Sequence, residues 1–186
     1  MPTPDRTSLD QIVHAGREIL ESAGLAGLTM QAVAARVGVR APSLYKRVRD
    51  RDALVRLVAE TTIAEVRERL AALGAGADPR RDLVVLVREF RAFAHERPMA
   101  YQLMFTPASG LDVATVTAAI EPVLRVAGQL AGEDHALDAA RTLTAWVNGF
   151  IGMEIGGAFQ MGGDIEQAFE FGLTRLTAAL AVRQVP

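Results

Sequence analysis

The chain has 186 residues, half of them hydrophobic and 23% charged, enough apolar material to bury a core and too much for a disordered segment. It holds no cysteine, which excludes a disulfide framework, a thiolate metal site and a cysteine nucleophile. Its net charge of −2 is unevenly spread: residues 1–49 carry seven basic and four acidic groups, and the remainder carries thirteen basic and eighteen acidic ones. That asymmetry is expected of a basic head that meets a polyanion and an acidic body that does not. The stretches 98–111 and 142–153, both free of charge, fall short of the roughly 18 apolar residues of a membrane span. Met1 to Arg6 lacks the apolar segment of a secretory signal, so a cytoplasmic protein with no membrane partner is expected.

Apolar residues recur at spacings of three and four, with no period-two alternation, so every element reads as a helix. Ser8 with Gln11 forms a capping box for a first helix whose buried stripe is Ile12, Ala15, Ile19, Leu20 and Ala23, closed by Gly24. Thr29 caps a second helix, with Val33, Ala34 and Val37 inward and Gly38 at its end. A third runs from about Ala41 to Val48, and Pro42 is tolerated in its first turn. Asp50 caps a long fourth, Arg51 to Leu73, ending in the turn Gly74 to Gly76. Asp78 and Pro79 open a fifth through Glu96, and Pro98 a short sixth. Ser109 with Asp112 opens a seventh that Pro122 should kink or break. The eighth and ninth are expected over about 134–159 and 164–183. The fold class is all-α with about nine helices. Its expected organisation is a helix-turn-helix head over 1–50, a connecting helix over 51–76 and a helical body over 77–186.

Two short helices joined by a glycine-containing turn make a helix-turn-helix when the pair packs tightly. Small Ala34 allows the approach, Gly38 the turn, and Val33, Val37, Val39 and Leu44 supply the core between them. In such a unit the later helix lies in the major groove of double-stranded DNA. Its exposed side here would be Arg40, Ala41, Ser43, Lys46 and Arg47, with Tyr45 near the groove edge. Cations and a hydroxyl suit phosphate or guanine, and a methyl suits thymine.

The stretch from Leu28 to Leu54, with its Thr-capped helix, Ala-x-x-x-Gly-Val turn, Leu44-Tyr45 pair and basic residue before the fourth helix, resembles the DNA-binding domain of the TetR (tetracycline-repressor-like) family. The resemblance implies that Thr29 caps the second helix and touches phosphate. It places Ser43, Tyr45 and Arg51 on phosphate-contacting positions, and points Arg40, Ala41 and Lys46 toward base edges or nearby phosphates. Two residues depart from the family pattern: Val48 stands in place of an aromatic, and Arg40 in place of a capping Ser or Thr. The run Phe90 to Phe105, with Trp146-Val-Asn-Gly149, is similar to one TetR C-terminal subfamily that usually has His at the position of Asn148. This implies a homodimer of nine-helix chains, each with an effector cavity, joined through the last two helices.

The last helices carry a matching physical signal. Thr142, Ala145, Gly149, Gly152 and Gly156 form one stripe of small residues on the eighth. Each helical glycine costs about 1 kcal/mol against alanine, so close approach of another helix is expected there. Leu143, Trp146, Phe150 and Met153 make a large apolar stripe beside it, and the ninth offers Ile165, Phe169, Leu173, Leu176 and Leu180. Two such helices per chain would form a four-helix interface across a two-fold axis; coverage by the chain itself is the alternative. A ligand cavity is expected from Met99, Tyr101, Met104, Phe105, Trp146, Phe150 and Met153, with His95, Gln102, Asn148 and Glu154 as polar handles. An uncharged wall would suit a hydrophobic or aromatic effector; a buried Glu154 would favour a cation.

Enzyme chemistry finds little support. His14, His95 and His135 are far apart without metal-ligand spacing, and the glycine pairs lack the context of a phosphate loop. No catalytic residue, metal or cofactor is expected. The reading is a dimeric repressor of a near-palindromic operator, in which an effector tilts the fourth helix and changes the spacing of the heads. An activator or ligand-independent regulator on the same scaffold, and a helical carrier or enzyme that does not bind DNA, are the alternatives.

Overall fold

The computed structural model describes residues 8–73 and 76–181. Met1 to Arg6, Gly74 with Ala75, and Arg183 lie outside the described residues. Among those described, the chain forms nine α-helices and two short 3-10 turns, with no strand. The helices are α1 (Leu9–Gly27), α2 (Met30–Arg36), α3 (Ala41–Leu44), α4 (Arg51–Ala72), α5 (Pro79–Glu96), α6 (Pro98–Met104), α7 (Val113–Ala131), α8 (Ala136–Ile155) and α9 (Ile165–Leu180).

Local capping chemistry sets several of these boundaries. Ser8 accepts the Gln11 N–H at 3.1 Å while Gln11 accepts the Ser8 N–H at 2.9 Å, a closed capping box. Asp50 caps α4 by accepting the Ala53 N–H at 2.8 Å, and Asp164 accepts the N–H groups of Glu166 and Gln167 ahead of α9. Gly24 adopts φ +68 as a kink, after which a further turn carries the chain to Gly27. Ala23, expected in the buried stripe of α1, is exposed, while Val13 and Gly16 are buried. α7 is capped by Asp112, which accepts the Thr115 N–H at 2.7 Å, and Ser109 sits in the preceding 3-10 turn. α7 runs unbroken through Pro122. The carbonyl that Pro122 deprives of a partner belongs to exposed Ala118, where water can serve it. α8 is shorter than expected, beginning after the 3-10 turn Glu133–His135 and stopping before Gly156 and positive-φ Gly157.

The chain divides into two compact units, one of residues up to Glu65 with Arg97–Val116, the other of Val66–Glu96 with residues from Thr117 onward. This division groups segments by packing, whereas boundaries at 50 and 76 follow the order of the elements along the chain. In the first unit α6 joins α1, although some eighty residues separate them. Glu21 of α1 accepts the N–H groups of Met99 at 3.1 Å and Ala100 at 2.9 Å, placing a carboxylate at the positive end of α6. Ala100 and Leu103 then enter the same core as Ile12, Leu20, Leu28, Val33 and Leu44. The second unit buries Leu83, Leu86, Val87 and Phe93 of α5, Leu143, Val147 and Ile151 of α8, and Phe169 and Leu173 of α9.

Candidate nucleic-acid interface

α2 and α3 are joined by a turn in which Gly38 takes φ +73, and the Val39 N–H bonds back to the Ala34 carbonyl at 3.0 Å. α3 is a single turn, shorter than the expected span to Val48. Residues 45–47 continue as a turn, with the N–H groups of Arg47 and Val48 both directed at the Leu44 carbonyl at 2.8 and 2.9 Å. Leu44 and Val48 are fully buried in the core of the first unit. Val48 thus fills its place as a small aliphatic where an aromatic is usual. With those two side chains held down, Arg40, Ser43, Tyr45, Lys46 and Arg47 stand exposed along the outer edge, Tyr45 at 54%. Ala41 is only half-buried and packs partly against the core, so less of its methyl is available to a base than the sequence suggests. Arg40 makes no side-chain cap, leaving Pro42 to pre-set the helix start.

Charge pairing sorts the cations of this region. Arg17 pairs with Glu65, Arg36 with Glu18 at 2.9 Å, and Arg49 with Asp50 at 2.7 Å. Arg40 and Lys46 have no carboxylate partner among the described residues, so their charge is open to an external anion. Thr29 caps α2 by accepting the Ala32 N–H at 3.1 Å, which leaves its hydroxyl proton free to donate to a phosphate oxygen. Arg51, also expected on this edge, is exposed. Its guanidinium donates to the Leu28 carbonyl at 2.8 Å and to the Leu25 carbonyl, tying the start of α4 to the α1–α2 connection.

The residues expected to line an effector cavity fall in both units. Met99, Tyr101, Gln102, Met104 and Phe105 lie in the first. Tyr101 is buried against Phe105, with ring centroids 5.3 Å apart, and burial pushes its hydroxyl up to about 12. Gln102 and Phe105 are exposed, and Met99 and Met104 partly buried. His95, Trp146, Asn148, Phe150, Met153 and Glu154 lie in the second. There Trp146 stacks on Phe169 at 5.5 Å, and Phe150 meets Phe159 and Phe169 at 4.9 and 5.2 Å. Asn148 is partly buried and Met153 exposed.

Glu154 is partly buried and not available to a cation. Arg91, absent from the sequence-derived set, grips it with two bonds of 3.0 and 2.6 Å, and His95 approaches it at 3.0 Å. Arg91 also bonds Glu166 and lies 4.3 Å above the Phe169 ring. The Arg91 hydrogen bonds hold the Glu154 carboxyl below the usual glutamate range, against the opposing effect of burial. Arg91 and His95 share one face of α5 at a spacing of four, a signal visible in sequence; their partners 59 to 75 residues away were not. A cationic effector attracted by Glu154 is thereby disfavoured.

The expected dimer surface is split by burial. Ala145, Gly149, Gly152 and Gly156 are exposed, and a Cβ added at Gly149 or Gly152 would meet nothing within 4 Å. A glycine at the contact between α8 and α9 that internal packing does require is Gly172, where a Cβ would lie 2.4 Å from the Trp146 ring. Phe169 and Leu173 are fully buried within the chain, and Leu180 packs on the Ala127–Ala140 cluster. Leu176 is partly buried, whereas Ile165 and Phe171 are exposed. The apolar stripe of α9 thus mostly faces inward. Its outward apolar side is carried by Ile165 and Phe171. Among the described residues no group of three metal-binding side chains assembles, and no helix is long and apolar enough to cross a membrane.

A helix-turn-helix with an exposed basic edge, followed by a helical body, defines the class of helix-turn-helix DNA-binding regulators. The profile of bacterial regulatory proteins of the tetR family matches residues 12–58, and that of the tetracyclin repressor-like C-terminal domain matches residues 83–176. The chain belongs to the TetR family of transcriptional regulators. It is 29% identical to the HTH-type transcriptional regulator Rv0681 of Mycobacterium tuberculosis, over 97% of this chain and 84% of that protein. BioQ, crystallised with its double-stranded DNA operator, is similar at 26% identity and a TM-score of 0.69, covering 94% of this chain and 98% of BioQ. A tetracycline repressor variant of Acinetobacter baumannii AYE, crystallised with minocycline, shares the fold at 23% identity and a TM-score of 0.69, over 93% and 96% of the two chains.

Proposed function

We propose that this TetR-family regulator is a dimeric repressor, released from a near-palindromic operator by a small, uncharged, hydrophobic or aromatic effector. The observation that carries the reading is the exposed edge of Arg40, Lys46 and Arg47, raised on the buried anchors Leu44 and Val48. Two such edges, about 34–36 Å apart, would enter successive major grooves. Thr29, Ser43 and Tyr45 would contact phosphate, Arg40 and Lys46 would reach base edges or phosphates, and Ala41 would add a partial methyl contact. The operator complex of BioQ supports the DNA partner, and the minocycline complex of the tetracycline repressor supports a small-molecule effector. Neutralisation of Glu154 by Arg91 is what argues for an uncharged ligand. Effector binding would be transmitted along α4, with a coupling of about 1–3 kcal/mol.

Anisotropy titration with DNA from immediately upstream of the gene, against a scrambled duplex at two salt concentrations, tests the reading. Tight, selective binding by two chains or a multiple of two is expected; equal weak binding to both duplexes, there and across other genomic fragments, would overturn it. Lys46→Ala and Arg47→Ala should each weaken binding and lower the salt slope by about one. An unchanged slope removes the residue from the interface.

The uncovered glycine stripe makes the dimer testable. If α8 stayed exposed, Gly149→Ala with Gly152→Ala would raise stability, by about 0.5–1 kcal/mol for each helical glycine replaced. Across a close helix pair, the same methyls should instead shift the molecule toward monomer in sedimentation, and that is the expected result. A more stable protein with unchanged mass would remove the stripe from the interface.

A further inference from the structure

Apart from the DNA edge and the Arg91 cluster, the second unit carries a groove of about 430 Å³ between α5 and α9, within the size range of small-ligand sites. Val84 and Val85 of α5 and Ala178 of α9 give it an apolar lining. Arg80 and Arg81 border it and have no carboxylate partner among the described residues. Arg88, further along, is occupied by Glu170 in a two-pronged pair at 2.8 and 2.7 Å. Asp78 also borders the groove, and accepts the Arg80 N–H at 3.0 Å. Two unpaired guanidinium groups beside one carboxylate leave a single positive charge uncompensated.

A second, independent feature is Thr177, which lines the groove and is 4% exposed. Its Oγ1 is buried and has no hydrogen-bond partner. Helical threonines ordinarily return the hydroxyl proton to the carbonyl four residues earlier. Thr61, Thr62 and Thr142 do so here, at 2.8, 2.8 and 2.9 Å. Thr177 does not, and buried polar groups are otherwise nearly always satisfied. A hydroxyl left unsatisfied in the lining of a groove that also holds unpaired guanidinium groups and an apolar wall is suited to a ligand that brings its own acceptor.

We propose that the α5–α9 groove binds a small apolar monocarboxylate, its carboxylate taken by Arg81, with Arg80 alongside, and by the Thr177 hydroxyl, and its body laid on Val84, Val85 and Ala178. One negative charge matches the one uncompensated positive charge, and the guanidinium fork matches the two carboxylate oxygens. The site is separate from the residues assigned above to DNA and to the effector, and does not depend on that assignment.

Benzoate serves as the probe on the full chain, read by calorimetry and by backbone NMR shifts, with benzamide as its uncharged isostere and inorganic phosphate as a headgroup without a body. Saturable benzoate binding with shifts along α5 and α9 is expected, at least tenfold stronger than benzamide or phosphate. Arg81→Gln should weaken it at least tenfold. Thr177→Val should weaken it at least threefold while leaving the thermal midpoint unchanged or higher, since the substitution removes an unsatisfied hydroxyl. Operator affinity should be unchanged in both variants, which keeps this site distinct from the regulator reading. Absence of saturable binding, binding indifferent to both substitutions, or phosphate or benzamide binding as well as benzoate would each overturn the proposal.

Discussion

Arg91→Ala is expected to destabilise the body by about 1–3 kcal/mol, less than the cost of breaking a fully buried ion pair because both side chains are only partly buried. The side chains of Arg91 and Glu154 are 14% and 11% exposed and share two bonds. Removing Arg91 leaves Glu154 with His95 as its one remaining partner among the described residues, and also removes the cation above Phe169. Urea unfolding followed by the fluorescence of Trp146, the single tryptophan, reads this region directly because its ring stacks on Phe169. Arg91→Met combined with Glu154→Leu should cost less than Arg91→Ala alone, since it leaves no buried charge behind. Because the folded carboxyl titrates lower than an unfolded glutamate, its contribution is present above about pH 4.3 and is lost as pH falls through the lower folded value. The gap between the protein and Glu154→Gln should therefore narrow below about pH 4; a constant gap down to pH 3 would show that ionisation of Glu154 contributes nothing.

Leu44→Ala is expected to cost about 2–5 kcal/mol and to abolish operator binding while the body stays folded. Leu44 is the buried side chain of a four-residue helix, and that helix has no side-chain cap. An isolated single turn is not stable in water, so packing must hold it. The Leu44 carbonyl also receives the two N–H groups that shape the turn carrying Lys46 and Arg47. A cavity beneath Leu44 would thus release the whole basic edge. Leu44→Met, which keeps the volume, should cost less than about 1.5 kcal/mol and retain binding. Circular dichroism and anisotropy together check the pair of variants; operator affinity within twofold in Leu44→Ala would mean that the edge is held by something other than this anchor.

What could be read in the residues follows from range. Ser8 with Gln11, Thr29 and Asp50 announced helix starts because a cap bonds groups three positions away. Gly38 announced its turn because only a residue without Cβ takes φ +73 at little strain. The basic edge was legible for the same reason: Leu44 and Val48 are four apart and point one way, leaving their neighbours outside. The bonds of Arg51 to the carbonyls of Leu25 and Leu28 were not legible, since nothing local reveals that those carbonyls lie within its reach.

The all-α class, most helix boundaries, the helix-turn-helix and its charge were therefore determined by the sequence by itself, through hydrogen bonds and periodicities spanning three or four residues. Tertiary structure alone decided that 97–116 packs with the head through Glu21. It also decided that Glu154 is neutralised by Arg91 and that Phe169 and Leu173 face inward. Periodicity shows that a helix has an apolar face but not which neighbour covers it, and a carboxylate's charge state depends on the cation the fold brings beside it. Those facts arise between side chains far apart in the chain, and only packing brings them together.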